Sequence, residues 1–191
     1  MKVTEGGQRI LPEAGVHAAR LIRIIDMGTQ HNETYGTDAR KVRFSFELVD
    51  LKHTFSEEAG PQPFLIDRQY TLSLNSKATM RKDMEGWLGR SLTDAELADG
   101  FELSDLLDTA GQLQVTHTED GKYANVGTLM AAPKGVKTSK AANSIFLFDL
   151  DDMDSEIFES FPQWMQDVIA NAPEFTVEKS ELKADSIDDV I

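Results

Sequence analysis

The sequence contains no cysteine. That absence excludes disulfides, thiolate zinc sites and cysteine nucleophiles, and it fits a reducing compartment. No segment holds the roughly 18–20 successive apolar residues that a membrane-spanning helix needs. The N-terminal "MKVTEGGQRILPEAGV" lacks an apolar run of signal-peptide length. A soluble cytoplasmic protein with no membrane partner is the expectation. Catalytic signatures are missing as well: there is no G-x-S-x-G elbow, no G-x-x-x-x-G-K-[ST] phosphate loop and no G-x-G-x-x-G turn. The four histidines, His17, His31, His53 and His117, stand singly, without partners at ligand spacing. His117 occupies an apolar-phase strand position and is expected to be structural. The acidic stretch "LFDLDDMDSEIF" (147–158) fails as a calcium loop in both registers. A start at Asp149 puts Asp154 at the glycine position, and a start at Asp152 puts Ile157 there. "ELK" (181–183) matches only the shortest piece of a nuclease E-x-K signature and follows no strand. Neither an enzyme nor a metal or cofactor site is expected.

What is present is enough apolar material for one core. Of 191 residues, 40% are hydrophobic, which suits one ordinary domain with an extension. The formal net charge is −14, but it is unevenly spread. Residues 138–191 hold 3 Lys+Arg against 13 Asp+Glu; the remainder holds 16 against 20. The body is close to balanced, so the mean charge does not by itself exclude a polyanion partner.

Three strands are expected first. "GVHAARLIRIIDMG" (15–28) is rich in β-branched residues and ends at glycine. A polar loop follows over 28–40. "RKVRFSFELVDL" (40–51) alternates, with Val42, Phe44, Phe46 and Leu48 on one side and Lys41, Arg43, Ser45 and Glu47 on the other. "FLIDRQYTLSL" (64–74) keeps Phe64, Ile66, Tyr70, Leu72 and Leu74 in one phase, which Arg68 interrupts. A helix over 75–90 is expected from Met80, Met84, Trp87 and Leu88, with Asn75 or Ser76 as N-cap and Gly89 at its end. Thr93 and Glu96 have capping-box spacing for a short helix. A hairpin closes the domain over 111–133, turning at "EDG". Three strands, a helical insert and two strands is the chain order of a five-stranded OB-fold barrel; a generic α+β sheet is the alternative.

The expected organisation is a domain over 1–136, a linker over 137–145 and an acidic C-terminal region over 146–191. The linker expectation rests on "APKGVKTSKAANS" (132–144), which mixes Pro, Gly, Ser and lysine. In the acidic region, Ile157, Phe158, Phe161, Trp164, Met165, Val168 and Ile169 have amphipathic helical spacing interrupted by Pro162, which can open a second helix. The tip from about Pro173 is polar enough to be disordered. Single-strand binders combine a cationic groove with faces on which bases stack. The candidates here are Arg20, Arg23, Tyr35, Lys41, Arg43, Arg68, Tyr70, Lys122 and Tyr123. Asp149, Asp151, Asp152, Asp154, Phe158, Phe161, Trp164, Asp188 and Asp189 are candidates for partner docking or for competing with nucleic acid.

The strings "GVHAARLIRIIDMGTQ", "KVRFSFELVD", "YTLSLNSKATMRKDMEGWLGRSLTDAELADGFELSDLL" and "GQLQVTHTEDGKYANVGTLMAAPKG" resemble those of bacteriophage single-stranded DNA-binding proteins. The resemblance covers about residues 14–136. It implies an OB fold, no catalysis, and sequence-independent binding of single-stranded DNA during phage replication or recombination. It also implies an acidic C-terminal region, replication or recombination proteins as partners of that region, and the cytoplasm of an infected bacterium as the location. A homo-oligomer is compatible with it. The ending "DSIDDVI" departs from the acidic tip of bacterial single-strand binders in lacking Pro-Phe. An acidic DNA mimic that occupies a host DNA-binding enzyme is the rival expectation.

Overall fold

Alternation in β2 (Thr37–Thr54) sends Val42, Phe44, Phe46 and Leu48 to one side, where all four are buried. Its antiparallel neighbours are β1 (Gly15–Asn32) and β3 (Pro61–Thr71). β4 (Ala110–His117) and β5 (Ala124–Ala131) form the expected hairpin, and β4 pairs with the first six residues of β1. The sheet order is β3-β2-β1-β4-β5, with a sixth strand, β6 (Phe146–Phe148), pairing parallel to β1. The computed structural model describes residues 10–34 and 36–175. The chain is mostly β, with a few short helices. Among the described residues no helix is long and apolar enough to cross a membrane.

β1 and β2 are longer than expected. The 28–40 segment is mostly strand: β1 continues to Asn32 and β2 begins at Thr37. Polar residues there pair across the ladder, His31 with Asp38 and Gln30 with Ala39. Polarity signalled exposure, and backbone pairing continued regardless.

The helical insert contains α1 (Thr79–Leu88) and α2 (Asp94–Ala98), then a 3-10 turn over Leu103–Leu106. Met80, Met84 and Trp87 of α1 are buried as their spacing implies. The N-cap is Ala78, not Asn75 or Ser76, because the Asn75 side chain instead accepts from the Lys77 N–H in a turn ahead of the helix. Gly89 ends α1 in the left-handed region, and Thr93 and Glu96 form the capping box of α2. α1 lies close on the sheet. A Cβ on Gly111 would fall 2.5 Å from the Trp87 ring, and one on Gly86 would fall 2.6 Å from the Leu129 carbonyl oxygen. The first core joins Leu21, Ile24, Phe46, Met84, Trp87 and Leu113 between sheet and insert.

A bulge in β1 between Leu21 and Arg23 shifts its side-chain phase. Leu21 and Ile24 therefore face the first core, while Ile25 and Met27 face the opposite side. A second core forms there from the C-terminal region. Phe148 and Leu150, with Phe161, Met165, Ile169 and Phe175, close over Ile25 and Met27. Two helices carry part of this layer, α3 (Ser155–Ser160) and α4 (Gln163–Ala170), separated at Pro162 as the sequence suggested. Residues 146–175 thus form a packed second layer on the sheet.

Phe148→Ala should lower stability by about 3–5 kcal/mol in urea unfolding, the usual range for a fully buried phenylalanine. A chain ended at Ile145 should bind a hydrophobic dye through the uncovered Ile25 and Met27.

Candidate nucleic-acid interface

The basic face expected on β1 and β2 is present, but it is covered. Arg20 donates to the Ser139 carbonyl at 2.7 Å, the Thr138 carbonyl at 3.3 Å and the Asp108 carboxylate at 3.0 Å. The Arg23 guanidinium lies 5.3 Å from the centre of the Phe146 ring. Arg40 bonds Asp26 and also reaches Asp151 at 3.2 Å and Asp149 at 3.7 Å. Arg43 donates to Asp67 at 2.7 Å, and its guanidinium lies 5.2 Å from the Trp164 ring centre. Beside them, the Glu47 carboxylate, 1% exposed, accepts from Ala142 N, Asn143 N and Asn143 Nδ2 at 2.8, 2.9 and 2.7 Å. The stretch 137–145, expected as a linker, is therefore strapped to the body at both Arg20 and Glu47.

This arrangement is hard to reverse. Each large apolar side chain of the second core returned to water costs about 1.5–3 kcal/mol. A solvated ion pair contributes about 0–1 kcal/mol. Contacts between DNA phosphates and Arg23 would have to displace Phe146 of that layer, and contacts with Arg20 would have to displace Asp108 and the 138–139 carbonyls. Arg20 and Arg23 act within the fold; Arg43 is paired with Asp67 and also borders open surface.

On β3, Arg68 and Tyr70 also have internal roles. Arg68 donates to the carbonyls of Val126 and Gly127 on β5, at 3.2 and 2.7 Å, and pairs with Asp83 of α1 at 3.1 Å. It bridges β3 to β5, the two ends of the sheet path. Tyr70 is buried and donates to Asp83 at 2.9 Å. Its ring is a core surface and offers no face to a base. Burial, then the neighbouring Asp83 carboxylate, pushes the Tyr70 hydroxyl well above the ordinary tyrosine range. Burial likewise raises Asp83.

The open surface lies along β3. A cleft of about 690 Å³ runs between residues 62–67 and the start of β5. Tyr123 and Phe55, 55% and 52% exposed, line it with Ile10, Leu65, Gln62 and Arg43. The Phe55 ring is held at 5.1 Å from both His53 and Phe64. Phe55 was not among the sequence candidates. Its signal was a single aromatic inside the polar loop "HTFSEEAG". Beyond the cleft, residues 68–71 border a second groove of about 670 Å³ that holds Lys41, Lys77 and Arg68. Lys122 is exposed beside Asp120 at 3.6 Å, next to Tyr123. Tyr35, Asp188 and Asp189 lie outside the described residues.

The acidic candidates divide in the same way. Asp149 and Asp151 hold Arg40, and Asp154 caps α3 by accepting from Glu156 N and Ile157 N. Phe158 and Phe161 belong to the second core. Asp152 is exposed, as is Trp164, one side of which is turned to Arg43. His117 bonds the Pro12 carbonyl oxygen at 2.8 Å, a tie between the N-terminal segment and β4.

Glu47→Ala should cost about 3 kcal/mol in denaturant unfolding, because three donors lose their acceptor at a buried site. Tyr70 stays neutral in the fold while an unfolded tyrosine ionises near pH 10. Stability should therefore fall as pH rises above about 10, by at most about 1.4 kcal/mol per pH unit from this group. In Tyr70→Phe that component of the alkaline slope should vanish.

No protein-family model and no curated protein sequence matches this chain. The likeness to phage single-strand binders therefore rests on its sequence motifs.

Proposed function

We propose that this chain is a non-enzymatic single-stranded DNA-binding protein of the phage type, and that bases stack in the cleft between β3 and β5. The observation that carries this reading is the pair Phe55 and Tyr123, two half-exposed rings in one groove bordered by free strand edges. Every base has a π-face, so stacking of this kind tolerates any sequence. The strand path supports an OB-type barrel. β1 is shared between β2 and β4, the helical insert falls between β3 and β4, and β3 and β5 run in the same direction where Arg68 joins them. The role is protection of single strands during phage replication or recombination, in the cytoplasm of the infected bacterium. The exposed acidic surface of the C-terminal region is where replication or recombination proteins would dock. Competition with DNA by acidic residues falls to the chain beyond Phe175, since residues 146–175 are built into the second core.

One observation favours the rival reading. Asp151, Asp152, Asp154, Glu156, Glu159 and Asp167 are exposed on a folded region, and a DNA mimic needs acids on a folded scaffold.

Anisotropy of a labelled oligo-dT strand separates the two. Binding at low salt that weakens as salt rises is expected. Tyr123→Ala and Phe55→Ala should each lose about 1–3 kcal/mol, or about 5- to 150-fold in affinity. No binding at low salt would overturn the proposal, and inhibition of a host DNA-binding enzyme by the chain would then establish the mimic.

A further inference from the structure

The second groove along β3 is lined by basic and polar residues. Its walls hold Lys41, Arg68 and Lys77, together with Thr71, Ser73 and Asn75, and no carboxylate. Arg68 is neutralised by Asp83 behind it. Lys41 donates to the Thr71 hydroxyl at 2.7 Å. Among the described residues no carboxylate lies within ion-pair distance of Lys41 or Lys77. The groove thus brings two lysines without an ion-pair partner together among hydroxyl and amide groups.

The groove also continues the aromatic cleft. Residues 62–67 of β3 border the cleft and residues 68–71 border the groove. On the neighbouring strand, Arg43 lines the cleft and Lys41 lines the groove, opposite Gln69 and Thr71. Two residues along a strand amount to about 7 Å. A ligand leaving the cleft along this face meets Lys41 next. Hydroxyls and amides that donate or accept, with free ammonium groups, suit phosphodiester oxygens; they offer nothing for a base to stack on.

We propose that the groove is a phosphate subsite, in which Lys41 and Lys77 contact the backbone of a strand whose bases occupy the adjoining cleft. This rests on the single-strand reading above and assigns the electrostatic part of binding to a different set of residues from the stacking part. Lys77 has no place among the sequence candidates; it enters because the turn after β3 carries it back over the sheet edge.

The test uses the full chain and oligo-dT strands between about 4 and 16 nucleotides long, with anisotropy read across a salt titration. Each phosphate contact on a single strand contributes about 0.7 to the slope of log affinity against log salt. Lys41→Gln with Lys77→Gln should reduce the magnitude of that slope by about 1.4 while leaving the loss caused by Tyr123→Ala unchanged. Lys140→Gln, outside both grooves, should leave the slope as it is. Inorganic pyrophosphate should compete only weakly, because it engages the groove without the cleft. An unchanged slope in the double lysine variant, with oligo-dT still bound and still sensitive to Tyr123→Ala, would overturn the subsite and spare the stacking cleft. An equal loss in Lys140→Gln would replace the subsite by a diffuse field. Pyrophosphate binding as tight as the strand would make the groove a small-anion site. Failure of the wild-type chain to bind any oligo-dT would remove the single-strand reading itself.

Discussion

From Ile24 to Met27, β1 is buried on both of its faces. One face closes the core beneath the helical insert, and the other is covered by the layer that begins at β6. The bulge after Leu21 sets the phase: it puts Leu21 and Ile24, three positions apart, in one core, and alternation then sends Ile25 and Met27 to the other. A strand of strict period 2 could not divide "LIRIID" this way. The position of the C-terminal region, the burial of Glu47 and the covering of the arginines all depend on that division.

The acidic segment takes its meaning from where it sits. Read as a string, 146–175 is a run of carboxylates with hydrophobic residues between them. In the fold, the hydrophobic residues form the second core, Asp149 and Asp151 hold Arg40, and Asp154 caps a helix. Arg23, Arg40 and Arg43 meet rings or carboxylates of this region, and Arg20 is held by Asp108 and the 138–139 carbonyls, so the body loses most of its cationic face. What stays open is the β3 side, where exposed Phe55 and Tyr123 flank residues 62–67 and Lys41 and Lys77 flank residues 68–71. The exposed aromatic residues and the unpaired lysines are thus separated in space, which allows each set to be altered alone.

Much of the architecture was legible. Strand β2 announced itself by alternation, α1 by Met80, Met84 and Trp87, and the capping box by Thr93 and Glu96. Pro162 correctly marked the break between two helices. The candidate site was legible only in part. Charge and phase place Arg20, Arg23 and Arg43 on a strand face, but nothing local in sequence shows that a segment more than 90 residues away will cover that face. Tyr70 carried the same ambiguity, since an alternating strand does not say whether its aromatic meets a core or a ligand. Arg68 broke the apolar phase for a reason only the tertiary structure supplies: it joins two strand edges and a helix. Tyr123 and Phe55 line the same cleft, but a single aromatic inside the polar stretch "HTFSEEAG" carries no periodic signal that sets Phe55 apart.

β6 pairs with β1 across a long separation, Arg23 with Phe146. At about 5–20 residues per second, a ribosome takes roughly 6–25 s to cover that distance. The buried residues of the first core all precede the end of β5, so that core can assemble within this interval, before Leu147 packs against it. The outer side of β1 then waits, with Ile25 and Met27 open. Arg20, Arg23, Arg40 and Arg43 stand around it, and charges flanking an apolar strand oppose its pairing with other chains. The side chains that anchor the finished layer would thus serve earlier as guards of an unfinished one.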